Sequence, residues 1–198
     1  WQSPPDLKST LPDRPQKYTG RGAAVRWLHH VNLSTSDIPA CSEFFQQHLG
    51  FYYRANVVLD GTDMQVASFL STGALDHDLA FTMDGARAHG RLNHIAFAVD
   101  TREDVMRAAD ILRDYDQNSL QFGPGRHGIA GTFYLYVREP GGNRIEVYTP
   151  ETLILAPDWK PVHWLTSQNP MMYWGGEMPL SIIGDATPPI EKPQSTQS

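Results

Sequence analysis

One cysteine, Cys41, is all the thiol chemistry in 198 residues. An intramolecular disulfide framework is excluded, and the expected setting is a reducing one, the cytoplasm. Basic runs are missing too, and the formal net charge is −6. Without a cationic stripe the chain has no electrostatic means of holding a nucleic-acid backbone, so nucleic acid is not an expected partner. No apolar stretch approaches the ~20 residues needed to cross a bilayer. The N-terminus also lacks a charged-then-apolar leader, so no membrane partner is expected. An initiating Met is absent as well; Trp1 stands first, which points to a processed or truncated product.

Proline is unevenly spread. Pro4, Pro5, Pro12 and Pro15 fall among polar residues in positions 1–22, which read as a connector without a core of its own. The final "GDATPPIEKPQSTQS" reads as a draped or disordered tail. Between these ends the sequence repeats itself. "RWLHHVNLSTSDIPACSEFFQQHLGFYY" overlays "GRLNHIAFAVDTREDVMRAADILRDYD". Each copy offers a strand carrying a His, a Ser/Thr and Asp helix start, and an amphipathic helix. Ile38, Cys41, Phe44, Phe45 and Leu49 recur at helical spacing in the first copy; Val105, Ala108, Ala109 and Leu112 do so in the second. Further strands are expected at about 51–57, 65–71 and 78–83, then at about 119–123, 132–138 and 143–149. The predicted fold is α+β: a βαβββ module used twice, over about 24–84 and about 90–150.

"YLYVREPGGNRIEVY" places turn chemistry, Glu139 to Asn143, between two β-prone runs. A hairpin with that loop sets Arg138 against Arg144 and Tyr136 against Glu146. Glu146 thus interrupts an apolar strand, where an isolated carboxylate is costly unless paired or bound to a metal. The overlay supplies its companions. His30 falls on His94, each just ahead of an apolar alternation, Val31 and Leu33 or Ile95 and Phe97. Modules related by a pseudo-twofold axis would bring these two histidines toward one centre, and Glu146 can point there too. Two imidazoles and one carboxylate are the facial set that holds a divalent ion, typically Fe(II), with positions left for substrate and oxygen. His29 rivals His30 but has the opposite strand parity, and its counterpart, Asn93, is a poor ligand.

"RWLHHVNL", "DHDLAF", "LNHIAFAVDT", "GPGRHG" and "YLYVREPGGNRIEVY" together resemble the extradiol ring-cleavage dioxygenases, the catechol 2,3-dioxygenase group of the vicinal oxygen chelate superfamily. The resemblance extends over roughly residues 16–165. It implies a paired βαβββ domain in which His30, His94 and Glu146 hold Fe(II), with Mn(II) as the second choice. It also implies His77, His127 and Tyr136 as catalytic residues. His89 is the rival to His77, set aside because it sits in a Gly-flanked loop whereas His77 opens a strand. The implied activity is extradiol cleavage of a catechol by O2 to a muconic semialdehyde in aromatic-compound degradation, by a homo-oligomer. Family members carry two such domains, with metal only in the second, and here the first is missing. On that pattern residues 1–22 are the connector, 23–165 the catalytic domain and 166–198 a C-terminal extension. Pocket walls are sought among Trp27, Phe81, Phe133, Trp164, Met171, Met172, Tyr173 and Trp174, although each taken singly is more often a core or interface residue. "NPMMYWGG" reads as a cover over the pocket mouth or as a subunit contact.

Two other functions stay open on the residues alone. A glyoxalase- or epimerase-like metalloenzyme would add a fourth protein ligand, for which His77 and Asp78 are available. A metal-free small-molecule binding protein would not need His30, His94 and Glu146 together.

Overall fold

The two copies of the sequence repeat build the same strand order. In a computed structural model of the chain, which describes residues 4–14, 16, 17, 22–88, 90–116, 118–179 and 181–189, the first copy forms β1 (Trp27–Thr35), α1 (Ile38–Leu49), β2 (Tyr52–Val58), β3 (Gln65–Ser71) and β4 (Leu79–Met83). Its strands lie in the order β1-β4-β3-β2, β1 parallel to β4 and the other pairs antiparallel. The second copy forms β5 (Arg91–Ala98), α2 (Arg102–Tyr115), β6 (Leu120–Arg126), β7 (Phe133–Arg138) and β8 (Arg144–Tyr148), in the matching order β5-β8-β7-β6. Two later elements are new relative to the sequence expectation: β9 (Val162–Leu165), parallel beside β2, and the short α3 (Ser181–Gly184). Parts of the expected connector and tail, and His89, lie outside the described residues. No helix among the described residues is long and apolar enough to cross a membrane.

Local chemistry explains the helix ends. Asp37 caps α1 by accepting from the Ala40 amide at 3.0 Å, and Gly50, at φ 73°, ends the helix in the left-handed region. Thr101 and Asp104 form a reciprocal capping box at the start of α2.

The chain divides into two compact units. One takes in Ala96–Thr152 and Met171–Glu177 with the chain up to His29; the other takes in His30–Ile95, Leu153–Pro170 and the chain from Met178. In the second of these, Ile38 from α1 packs on Leu70, Leu79 and Phe81, with Leu33 and Phe45 partly buried against them. The expected α1 stripe is only half realised, since Phe44 and Leu49 are 52% and 55% exposed. Ser42 is buried in their stead, its Oγ 2.8 Å from Ser68 Oγ on β3. In the other unit Val105 and Ala108 of α2 pack on Phe133, Leu135, Val137 and Val147. Phe81 and Phe133 are therefore core residues in the separate units. Alternation along β1 sends Leu33 toward α1 and puts His30, Asn32 and Ser34 on the opposite, also buried, face. A polar face closed to water is the scaffold for the site.

Candidate metal centre

His30 and His94 are both buried, and their Nε2 atoms lie 3.2 Å apart. The tautomer of His94 follows from its neighbours. Asn93 Nδ2 donates to the Ile182 carbonyl at 3.0 Å, which turns Asn93 Oδ1 toward His94 Nδ1 at 2.7 Å. A carbonyl and an amide oxygen can only accept, so Nδ1 carries a proton and, in the neutral imidazole, Nε2 bears the lone pair. A lone pair aimed at a second imidazole nitrogen 3.2 Å away suits a shared cation. Asn93, dismissed as a ligand from the sequence, instead orients the His94 ring.

His77 lies just ahead of β4 rather than opening it. Its ring sits 4.2 Å from that of His30 and edge-on to Phe69 at 5.1 Å. Asp76 Oδ2 holds His77 Nδ1 at 2.6 Å. Asp78, the other candidate for a fourth ligand, has its Oδ2 accepting from the amide and hydroxyl of Thr72, both at 2.8 Å. His29 points its ring to Tyr148, 4.6 Å between centroids, as strand parity requires.

In the unit built around α2, the hairpin has the register read from its turn: Tyr136 opposite Glu146 and Arg138 opposite Arg144. Glu139 holds the turn, its carboxylate accepting from the amides of Gly141 and Asn143 at 2.6 and 2.8 Å. Tyr136 and Glu146 are both buried. Burial, then the charge and hydrogen bonding of Glu146, push the Tyr136 phenol well above its ordinary pKa. His127 stacks on Tyr134 at 4.0 Å. It donates from Nδ1 to the Met171 carbonyl at 2.6 Å, and its Nε2 is 3.3 Å from both Glu146 Oε1 and Tyr136 Oη. Arg144, two residues before Glu146 and fully buried, donates from Nε to Gln121 Oε1 at 3.0 Å. Burial first, then Arg138, bring its guanidinium down to about 10.

The segment containing Met171 is a strap. Tyr173 N donates to Arg126 O at 2.8 Å, and Arg126 N to Trp174 O at 2.9 Å, while Tyr134 Oη meets Met172 Sδ at 3.3 Å. "NPMMYWGG" thus extends the edge of β6. The Met171 carbonyl had no signal in the sequence, since any residue type supplies one. Asp76 and Asn93 had a faint one: each directly precedes the histidine it orients.

His30 and His94 in one unit and Glu146 in the other are each buried with a ligand-type atom to offer. The set is two imidazoles and one carboxylate, a donor chemistry that fits a divalent transition-metal ion with coordination positions to spare. The contact from Asn93 to His94 is of the kind that supports a metal-ligating histidine.

The chain resembles known proteins in both sequence and fold. A metapyrocatechase of Geobacillus stearothermophilus is 35% identical over 81% of this chain and 48% of its own length. A manganese-dependent 2,3-dihydroxybiphenyl 1,2-dioxygenase of Geobacillus genomosp. 3 is 35% identical over 84% of this chain and 54% of its own. Among solved structures, homoprotocatechuate 2,3-dioxygenase of Brevibacterium fuscum superposes with a TM-score of 0.76 at 27% identity, covering 86% of this chain and 47% of that one. The chain spans about half the length of the curated relatives it matches. The profile of the Glyoxalase/Bleomycin resistance protein/Dioxygenase superfamily matches residues 27–147. That stretch is more than half of the sequence and takes in both βαβββ repeats almost whole, and the chain belongs to this superfamily.

Proposed function

We propose that this chain is the metal-bearing part of an extradiol dioxygenase. With O2 it opens catechol, or a substituted catechol, at the ring bond beside the diol and yields a muconic semialdehyde, in the degradation of aromatic compounds. The reading is carried by the buried His30–His94 pair, Nε2 atoms 3.2 Å apart, with the His94 lone pair committed to the shared space. Glu146 completes the ligand set, and His77, His127 and Tyr136 are the catalytic residues. The names of the relatives support the reaction class; 2,3-dihydroxybiphenyl, in one of them, is an aromatic vicinal diol.

We assign Fe(II) as the ion, with Mn(II), carried in one relative's name, as the rival. When bound, the ion would supply the redox chemistry that lets dioxygen react with the diol. The remaining steps belong to side chains. His77, its Nδ1 proton held by Asp76, takes a proton from the substrate hydroxyl at Nε2 and returns it later in the reaction. Tyr136 stays protonated at neutral pH because burial and Glu146 disfavour the phenolate, so it donates from Oη to a substrate oxygen. His127, fixed by the Met171 carbonyl, presents Nε2 beside both Tyr136 and Glu146 and accepts the phenol's single proton until a substrate oxygen takes its place. The engagement of Asp78 by Thr72 argues against a fourth ligand from that residue.

The same proposal includes a preceding domain, with residues 1–22 as connector, 23–165 as the catalytic domain and 166–198 as its extension. It also includes a homo-oligomer working in the cytoplasm. Catechol supplied in air to metal-loaded protein tests the chemistry. The expected product is a yellow conjugated semialdehyde carrying both atoms of the consumed O2. Formation of cis,cis-muconate, or the absence of oxygen uptake, would contradict it.

A further inference from the structure

We infer that Asn93 is a positioning residue for the metal centre, locking His94 into the one tautomer that can ligate through Nε2, with the C-terminal segment as its anchor. The inference rests on the ligand role proposed for His94. Asn93 is 4% exposed and uses both ends of its amide. Nδ2 donates to the Ile182 carbonyl at 3.0 Å, and Oδ1 accepts from His94 Nδ1 at 2.7 Å. Were the amide reversed, it would set two acceptors against each other at Ile182 and offer His94 an N–H, which would shift the imidazole proton to Nε2. A proton there blocks ligation.

Ile182 lies 89 positions along the chain from Asn93, in α3. The following residues clasp the same strand. Leu92 N donates to Thr187 Oγ1 at 2.8 Å, Thr187 N donates to Leu92 O at 2.9 Å, and Arg91 Nε donates to Thr187 O at 2.7 Å. The segment 181–187 is thereby coupled, through a single amide, to the ligating nitrogen of His94.

The test uses the full chain. Imidazole 15N shifts of His94 are read in the metal-free protein, and Mn(II) affinity is read by anaerobic competition with a chelator. Wild type is expected to show His94 as the Nδ1–H tautomer. Asn93→Ala is expected to show a mixture and to bind Mn(II) about 10–100-fold more weakly, the usual cost of losing such a support. Asn93→Asp keeps an acceptor and is expected to keep the wild-type tautomer. A wild-type tautomer together with wild-type affinity in Asn93→Ala would overturn the inference. If Asn93→Ala does not fold, Asn93→Asp decides: an Nε2–H tautomer there overturns the inference and an Nδ1–H tautomer supports it. Wild-type protein that binds no Mn(II) or Fe(II), yet shows the expected tautomers, would sink the metal reading and leave the positioning role of Asn93 standing.

Discussion

Tyr136 stands directly across from Glu146 in the β7–β8 register, with both side chains buried. Proximity to a carboxylate and removal from water act in the same direction on the phenol, and both keep it protonated. Tyr136 is therefore a hydrogen-bond donor over the whole physiological pH range. Tyr136→Phe is expected to lower turnover by about 10–100-fold, the worth of one hydrogen bond to a charged group, with metal content unchanged. Loss of the ion in this variant would mean that the phenol belongs to the ligand set.

Replacing His77 with Phe separates ligand from catalyst. The ring would keep its bulk beside His30 and Phe69 but lose the capacity for the proton exchange proposed for it. Turnover is expected to fall by roughly two to four powers of ten, with metal content and anaerobic catechol binding nearly intact. His89→Phe should change little. If His77→Phe strips the ion, the site has a fourth ligand and the glyoxalase-like alternative gains.

Much of this arrangement is legible in the sequence because it rests on local rules. Turn chemistry at Glu139 to Asn143 defines the hairpin and so the pairing of Tyr136 with Glu146. Strand parity separates His30 from His29, whose ring turns to Tyr148 instead. The rest depends on distant partners. Asn93 acquires its role from a carbonyl in α3, and His127 from a carbonyl in the strap; neither acceptor carries a side-chain signature. Strand β9 is a four-residue edge element whose pairing with β2 leaves little periodicity to read. β6 runs on through Gly123 and Pro124, residues that ordinarily argue for a strand's end. In α1, apolar spacing overstates the buried stripe, since the Ser42–Ser68 hydroxyl pair occupies contact surface that Phe44 and Leu49 do not.

Gly175 tests the strap. It has φ 118°, and a Cβ placed there would lie 2.5 Å from the Gly125 Cα and 3.0 Å from the Pro124 carbonyl. Backbone cannot yield as a flexible side chain can, so Gly175→Ala should cost about 1–3 kcal/mol as overpacking. At ~2–4 °C per kcal/mol for a protein of this size, a thermal melt resolves the loss. Because the strap carries the Met171 carbonyl that holds His127, catechol turnover should fall in the same variant. A melt and an activity matching wild type would show that the strap does not pack on β6 as described.

Alkaline titration probes the buried phenols. Burial raises Tyr53 and Tyr134, the latter with help from Glu146. Their neutral forms are favoured by the fold, so this contribution to stability is whole below pH ~10, the ordinary tyrosine value. It is lost as pH rises from there toward the folded values. Tyrosinate absorbance near pH 11 should therefore fall short of the eight phenols in the chain and reach full amplitude only on unfolding. Full amplitude in native protein would contradict the burial of these rings.

The central claim is that His30, His94 and Glu146 hold one ion together. Metal content per chain, measured after anaerobic loading with Fe(II) and removal of free ion, tests it most directly. The account predicts one ion per chain in wild type and near-stoichiometric retention in Asp78→Asn. It predicts loss of most of the ion in each of His30→Ala, His94→Ala and Glu146→Ala, with circular dichroism showing each variant folded. A folded variant of any of these three that keeps a full complement of iron would contradict it.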